Sequence, residues 1–127
     1  MTQSHLAGCR VLVVEDELMI AMLVETALQD AHCTVVGPYG DLAGALAAAH
    51  SETVDIAVLD INLAGEMVFP VAEALSGRGV PFLLLSGYGD AGVPSDRRHW
   101  PICSKPFNLD DLVAVLDRLV AESRRPH

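Results

Sequence analysis

The feature that most constrains this chain is an alternation of short apolar runs with amphipathic stretches. Arg10–Val14, Thr34–Tyr39, Ile56–Leu59, Pro81–Leu85 and Ile102–Ser104 are short runs rich in branched or large apolar residues. Such runs suit strands buried on both faces. Between them lie helical patterns. Residues 18–31 carry Leu18, Met19, Met22, Leu23 and Leu28 at helical spacing, with Glu25, Gln29 and Asp30 elsewhere. Asp41 is placed to cap an alanine-rich helix over 42–50. A third helix is expected over 67–76, stopped by Gly77 and Gly79. Asn108 caps a last one, with Asp110 and Asp111 in its first turn and Arg118, Arg124 and Arg125 toward its end. Strands alternating with helices imply right-handed crossovers and one α/β parallel sheet covered on both faces. The segment 87–101 breaks the pattern. It holds Gly87, Gly89, Gly92, Pro94 and Pro101, so a loop or at most a turn or two of helix is expected there.

Composition narrows the function classes. At 127 residues, one domain is expected, with no linker and no second domain. Seventeen acids against eight Lys and Arg give a formal charge of −9, which disfavours nucleic-acid and membrane-surface roles. No apolar run approaches the roughly 18–20 residues of a bilayer span, and the first ten residues lack the pattern of a secretory signal. Cys9, Cys33 and Cys103 are odd in number and far apart. They read as reduced, buried thiols of a cytoplasmic protein.

Open parallel sheets bind ligands at the carboxyl ends of their strands. Here the first strand ends at Glu15 and Asp16, the third at Asp60, the fourth at Ser86 and the fifth at Lys105. Three carboxylates at close range stay ionised only if a cation offsets them. Hard oxygen donors with room for water suit Mg²⁺, which would also hold a phosphoryl group beside Asp60. Asp60 then acts as nucleophile, Lys105 neutralises one phosphoryl oxygen and Ser86 hydrogen-bonds another. Lys105 is the only lysine in the chain. Taken singly, each signal has a plainer reading. Glu15-Asp16-Glu17 can be an acidic helix start, Asp60 and Ser86 turn residues, and Lys105 a surface charge. Their joint placement at four strand ends is what points to a site. No GxxxxGK, no strand-linked GxGxxG and no nucleophile elbow is present. The five histidines show no metal spacing, and His50 lacks the helical bundle of a phosphotransfer domain.

The motifs VLVVEDE at 11–17, VLDINL at 58–63, SG at 86–87 and KPF at 105–107 resemble those of bacterial two-component receiver domains, over about 10–120. The resemblance implies a flavodoxin-like doubly wound sheet of order 2-1-3-4-5 and a phosphoacceptor at Asp60. Asp16 and Asp60 are implied as direct Mg²⁺ ligands, Glu15 as a ligand through water, and the Asn62 carbonyl as a further ligand. It also implies Ser86 as the switch hydroxyl and Lys105 as the phosphate-binding lysine, with a cis Lys105–Pro106 bond. Asn62 and Tyr88 match positions that tune dephosphorylation. Two departures stand out. The family usually has Tyr or Phe where this chain has Ile102, with Trp100 close but out of register, and the 19 residues from Ser86 to Lys105 are few, matching a reduced fourth helix. The stretches at 62–72 and 81–90 resemble the stand-alone FAT GUY receivers, which lack that aromatic and some of which act in stress signalling. The function so implied is a phosphorylation switch charged by a sensor histidine kinase or phosphotransfer protein. Its output would be binding of another protein, or service as a relay or phosphate sink. The alternative is a binding module of the same fold that works without phosphorylation. A phosphohydrolase ranks last, since Asn62 stands where a general acid is needed. The broad stripe Leu112, Val113, Val115, Leu116, Leu119 and Val120 reads as core packing, or else as a partner or homodimer face built with the first helix.

Overall fold

A computed structural model describes residues 5–87, 95–97 and 99–124. Five parallel strands, β1 (Arg10–Val14), β2 (Thr34–Tyr39), β3 (Ile56–Asp60), β6 (Phe82–Ser86) and β7 (Ile102–Ser104), form one sheet of order β2-β1-β3-β6-β7. Numbered within the sheet alone, this is the expected 2-1-3-4-5. The remaining strands, β4 (Asn62–Leu63) and β5 (Glu66–Met67), make a small antiparallel hairpin after β3. Four helices follow the strands: α1 (Leu18–Asp30), α2 (Leu42–Ser51), α3 (Phe69–Gly77) and α4 (Leu109–Ser123). The third helix therefore starts two residues later than expected, because Met67 is taken by the hairpin. Between β6 and β7 the described residues hold one 3-10 turn, Ser95–Arg97. Residues 88–94, Arg98, Arg125 and His127 lie outside the described residues, and with them the expectation for Tyr88.

The inner strands β1, β3 and β6 are buried on both faces, so their side chains divide between two cores. Leu12, Val14, Leu59 and Leu84 face α2 and α3, while Val11, Val13, Val58 and Leu83 belong to the core shared with α1 and α4. The alanines of α2 (Ala45, Ala48, Ala49) are buried in the first core. Asp41 caps this helix, its Oδ1 accepting from the Gly44 amide at 2.6 Å. Gly37 is required where β2 bulges against β1. Its φ is +104°, and a Cβ there would lie 2.9 Å from the Val13 carbonyl oxygen.

Three expectations are corrected here. Of the expected α1 stripe only Leu28 faces the core, joined there by Ala21 and Val24, whereas Leu18 and Met19 are 73% and 78% exposed and Met22 and Leu23 more than half exposed. Cys103 is only half-buried, unlike Cys9 and Cys33. Glu17 occupies the N-cap position of α1 but makes no capping bond with its side chain. The α4 stripe, by contrast, is core. Leu112, Leu116 and Val120 are buried, and Val113, Val115 and Leu119 pack half-buried against the same cluster.

Trp100, out of register for the usual aromatic, is buried edge-on to Phe82 with ring centroids 5.2 Å apart. The Arg97 guanidinium lies 5.6 Å above its ring and also pairs with Glu73 of α3 at 2.8 Å. Trp100→Ala is expected to destabilise the domain by about 3–5 kcal/mol, measured by urea unfolding, because it removes the largest side chain of the α2–α3 core.

Candidate functional site

The carboxyl ends of β1, β3, β6 and β7 open into one cleft of about 440 Å³, lined by Asp16, Glu17, Asp60, Asn62, Ser86 and Lys105 among others. All strand-end residues singled out in the sequence meet here. Asp60 is 6% exposed, at the last position of β3. Glu15, directly after β1, and Ser86, ending β6, are buried beside it, and Asp16 is exposed at the rim. One carboxylate oxygen from each of Glu15, Asp16 and Asp60 lies within 4.8 Å of the others. Parallel pairing sets this convergence: Asp60 pairs with Leu85 and Ser86 with Ser104, so the strands end level.

Lys105 reaches in from the end of β7. Its Nζ donates to Glu15 Oε1 at 2.9 Å and lies 3.5 Å from Asp60 Oδ2. Its backbone N–H donates to the Ser86 carbonyl at 2.7 Å. The Lys105–Pro106 bond is cis, as the resemblance implies. Reasoning from sequence assigned the lysine to a phosphoryl oxygen and did not show that Glu15 is its nearest carboxylate partner. It also missed the β4–β5 hairpin, although Asn62-Leu63-Ala64-Gly65 carries turn chemistry that signals one. In that turn the Gly65 amide donates to Asn62 Oδ1 at 2.7 Å, and the Ala64 amide donates to Asp16 Oδ2 at 2.9 Å. Ala64 adopts φ +51° to do so. The Asn62 side chain thus serves the turn.

The electrostatics follow from this crowding. Burial above all, with the neighbouring Glu15 adding through hydrogen bond and charge and Lys105 only partly offsetting them, raises the Asp60 pKa from 3.8 to about 8. For Lys105, burial lowers the pKa, but the bond to Glu15 and the charges of Asp60, Glu15 and Glu17 outweigh it, and the ammonium is held above its ordinary value. A carboxyl that binds its proton more tightly when folded stabilises the fold while protonated. That contribution is complete below 3.8 and is lost as pH rises through about 8. Without metal, urea midpoints are therefore expected to fall across this window, and Asp60→Asn is expected to flatten the fall.

Comparison with known proteins then decides the family. The sequence profile described as response regulator receiver domain matches residues 11–117. The chain belongs to this family. Receiver domains are signalling modules of two-component systems rather than classical enzymes. The domain is 37% identical over 127 residues to the transcriptional regulatory protein TcrA of Mycobacterium tuberculosis, with 95% of this chain matched. It spans about half (48%) of that relative's length. It is 40% identical to SdrG of Sphingomonas melonis, whose solution structure superposes with a TM-score of 0.77 over 94% of this chain and 99% of that one. A crystal structure of the receiver domain of a Pseudomonas aeruginosa sensor histidine kinase, with a magnesium ion coordinated in its active site cleft, is 22% identical. It covers 91% of this chain and 99% of that one, with a TM-score of 0.78. Among the described residues, no helix of the receiver domain is long and apolar enough to cross a membrane.

Proposed function

We propose that this receiver domain is a phosphorylation switch in which Asp60 accepts a phosphoryl group from a phosphohistidine of a sensor kinase or phosphotransfer protein. The observation that carries the reading is Asp60 on the cleft floor, between an acidic pair and the only lysine of the chain. In the transfer, Asp60 Oδ bonds to phosphorus as the phosphorus–nitrogen bond to the donor imidazole breaks, and the imidazole takes up a proton. Lys105, already 3.5 Å from Asp60, neutralises a phosphoryl oxygen, and the Ser86 hydroxyl at the end of β6 donates to another. Asp60 must be ionised to attack, and its raised pKa means a proton leaves first.

The donor set fits Mg²⁺. It consists of hard carboxylate oxygens within 4.8 Å of one another at the mouth of an open cleft. Asp16 and Asp60 would hold the ion directly, with the Asn62 carbonyl, and Glu15 through water. When bound, it offsets the charge of the phosphoryl oxygens and of the acids themselves. Asp16 is already oriented by the Ala64 amide, so the hairpin presents its carboxylate to the cleft. The module works in the cytoplasm, and its output is a protein contact or onward transfer of the phosphoryl group.

Intact mass after incubation with acetyl phosphate tests the reading. A single base-labile phosphoryl gain is expected with Mg²⁺ and none with excess EDTA. No gain under any donor would favour the phosphorylation-independent binding module, which the aliphatic Ile102 suits.

A further inference from the structure

Between the end of β3 and the start of α3 the chain makes the β4–β5 hairpin, whose tip lines the cleft. Asn62 pairs with Met67 and Leu63 with Glu66, so the loop is two residues long, Ala64 and Gly65. Both have positive φ, +51° and +93°. Two left-handed residues in a two-residue loop mark a type I′ turn, which favours Asn, Asp or Gly first and Gly second. Gly65 meets that preference. Ala64 does not, since its Cβ crowds the backbone in this conformation. Such a conformation persists only where its surroundings hold it. Here it is held at both ends. Ile61, Leu63 and Val68 are buried in the α2–α3 core, and the Val68 amide closes the base by donating to the Ile61 carbonyl at 2.8 Å. At the tip the Ala64 amide donates to Asp16 Oδ2 at 2.9 Å, across 48 residues of sequence.

Asp16 depends on such a donor more than its neighbours do. Glu15 and Asp60 are buried and face Lys105, whereas Asp16 stands exposed at the rim. A carboxylate offers about four lone-pair sites and the amide uses one, so Asp16 keeps the capacity to hold a cation. Donors that fix a ligating carboxylate carry roughly ten- to hundredfold in metal affinity. We propose that the Ala64-Gly65 turn is a positioning element of the divalent-cation site: the Ala64 amide fixes Asp16 for ligation, and cation binding in return favours the strained turn. The coupling is reciprocal, as any linkage between two binding equilibria must be. The turn sequence therefore sets the Mg²⁺ concentration at which Asp60 can be charged. The proposal rests on Asp16 being a Mg²⁺ ligand.

Calorimetric titration of the full chain with magnesium chloride at constant ionic strength, with no phosphoryl donor present, is the test. Gly65→Val is the disrupting variant. A Cβ at Gly65 meets no atom within 4 Å, so the substitution acts through the backbone, where a branched residue resists φ +93°. Its Mg²⁺ affinity is expected to fall about tenfold or more. Ala64→Gly keeps the amide and suits the turn, so it is expected to bind at least as tightly as the wild type. Glu66→Gln, exposed on the same hairpin but outside the cleft lining, is expected to stay within about twofold. Amide hydrogen exchange followed by NMR reads the coupling in reverse. Mg²⁺ is expected to slow exchange at Ala64 in the wild type, and Asp16→Ala to speed it without the ion. This arm needs no hairpin variant and decides the matter if Gly65→Val fails to fold. A smaller loss in folded Gly65→Val, an equal loss in Ala64→Gly or Glu66→Gln, or an Ala64 amide indifferent to Mg²⁺ and to Asp16→Ala overturns the positioning role. Absence of saturable Mg²⁺ binding by the wild type overturns instead the reading beneath it.

Discussion

Asp60→Asn is expected to take no phosphoryl group from acetyl phosphate or from a kinase, a loss of the whole mass gain. The amide keeps the shape of the side chain and removes the nucleophile. It also removes a like charge beside Glu15, the neighbour that helps raise the Asp60 pKa to about 8. Above that pH the variant is therefore expected to be at least as stable as the wild type in urea melts. Inactivity together with undiminished stability separates a lost nucleophile from a lost fold. Base-labile phosphoryl gain in Asp60→Asn would place the acceptor elsewhere and sink the mechanism.

Lys105→Ala is expected to separate phosphorylation from response. The acceptor carboxylate remains, so slow labelling by acetyl phosphate persists. Without the ammonium, no side chain of the kind neutralises the phosphoryl oxygen, and phosphorylation-dependent partner binding is expected to be lost. Lys105 is also the nearer partner of Glu15, at 2.9 Å, whose side chain is 1% exposed. Losing that donor, with only the Glu17 amide left to bond the other oxygen at 3.2 Å, costs roughly 1–3 kcal/mol. Mg²⁺ binding only to the folded form should restore part of the loss, read as a rise in the urea midpoint on adding the ion. Lys105→Arg is expected to recover stability better than switching, since a planar fork does not replace a compact ammonium at one oxygen. Full phosphorylation-dependent binding in Lys105→Ala would show that another group holds the phosphoryl oxygen.

The sheet and the acidic site were legible because one rule governs both. A strand buried on two faces must be a continuous apolar run, so Val14, Leu59 and Leu85 mark where the apolar run stops, and the polar residues that follow mark the cleft. The helices were less legible. Periodicity over 18–31 shows an amphipathic helix but not which apolar residues face in. Ala21, Val24 and Leu28 took the inner side, and Leu18 and Met19 did not. Lys105 was found, but its nearer partner Glu15 was not. Only three-dimensional placement ranks 2.9 Å above 3.5 Å. The clamp of Arg97 on Glu73 and Trp100 had no sequence signal, since it joins positions 24 residues apart across the loop side of the domain.

The buried indole has a practical corollary. The chain has one tryptophan, so all indole emission comes from a single place, the approach to β7. Phe82, against which Trp100 packs, begins the same strand that Ser86 ends. The native protein thus carries a built-in optical gauge. Its wavelength reports how tightly the core seals this approach, and its brightness reports the guanidinium stacked above the ring. A spectrum taken during phosphorylation would follow that side of the domain in real time, with no label attached and no residue changed.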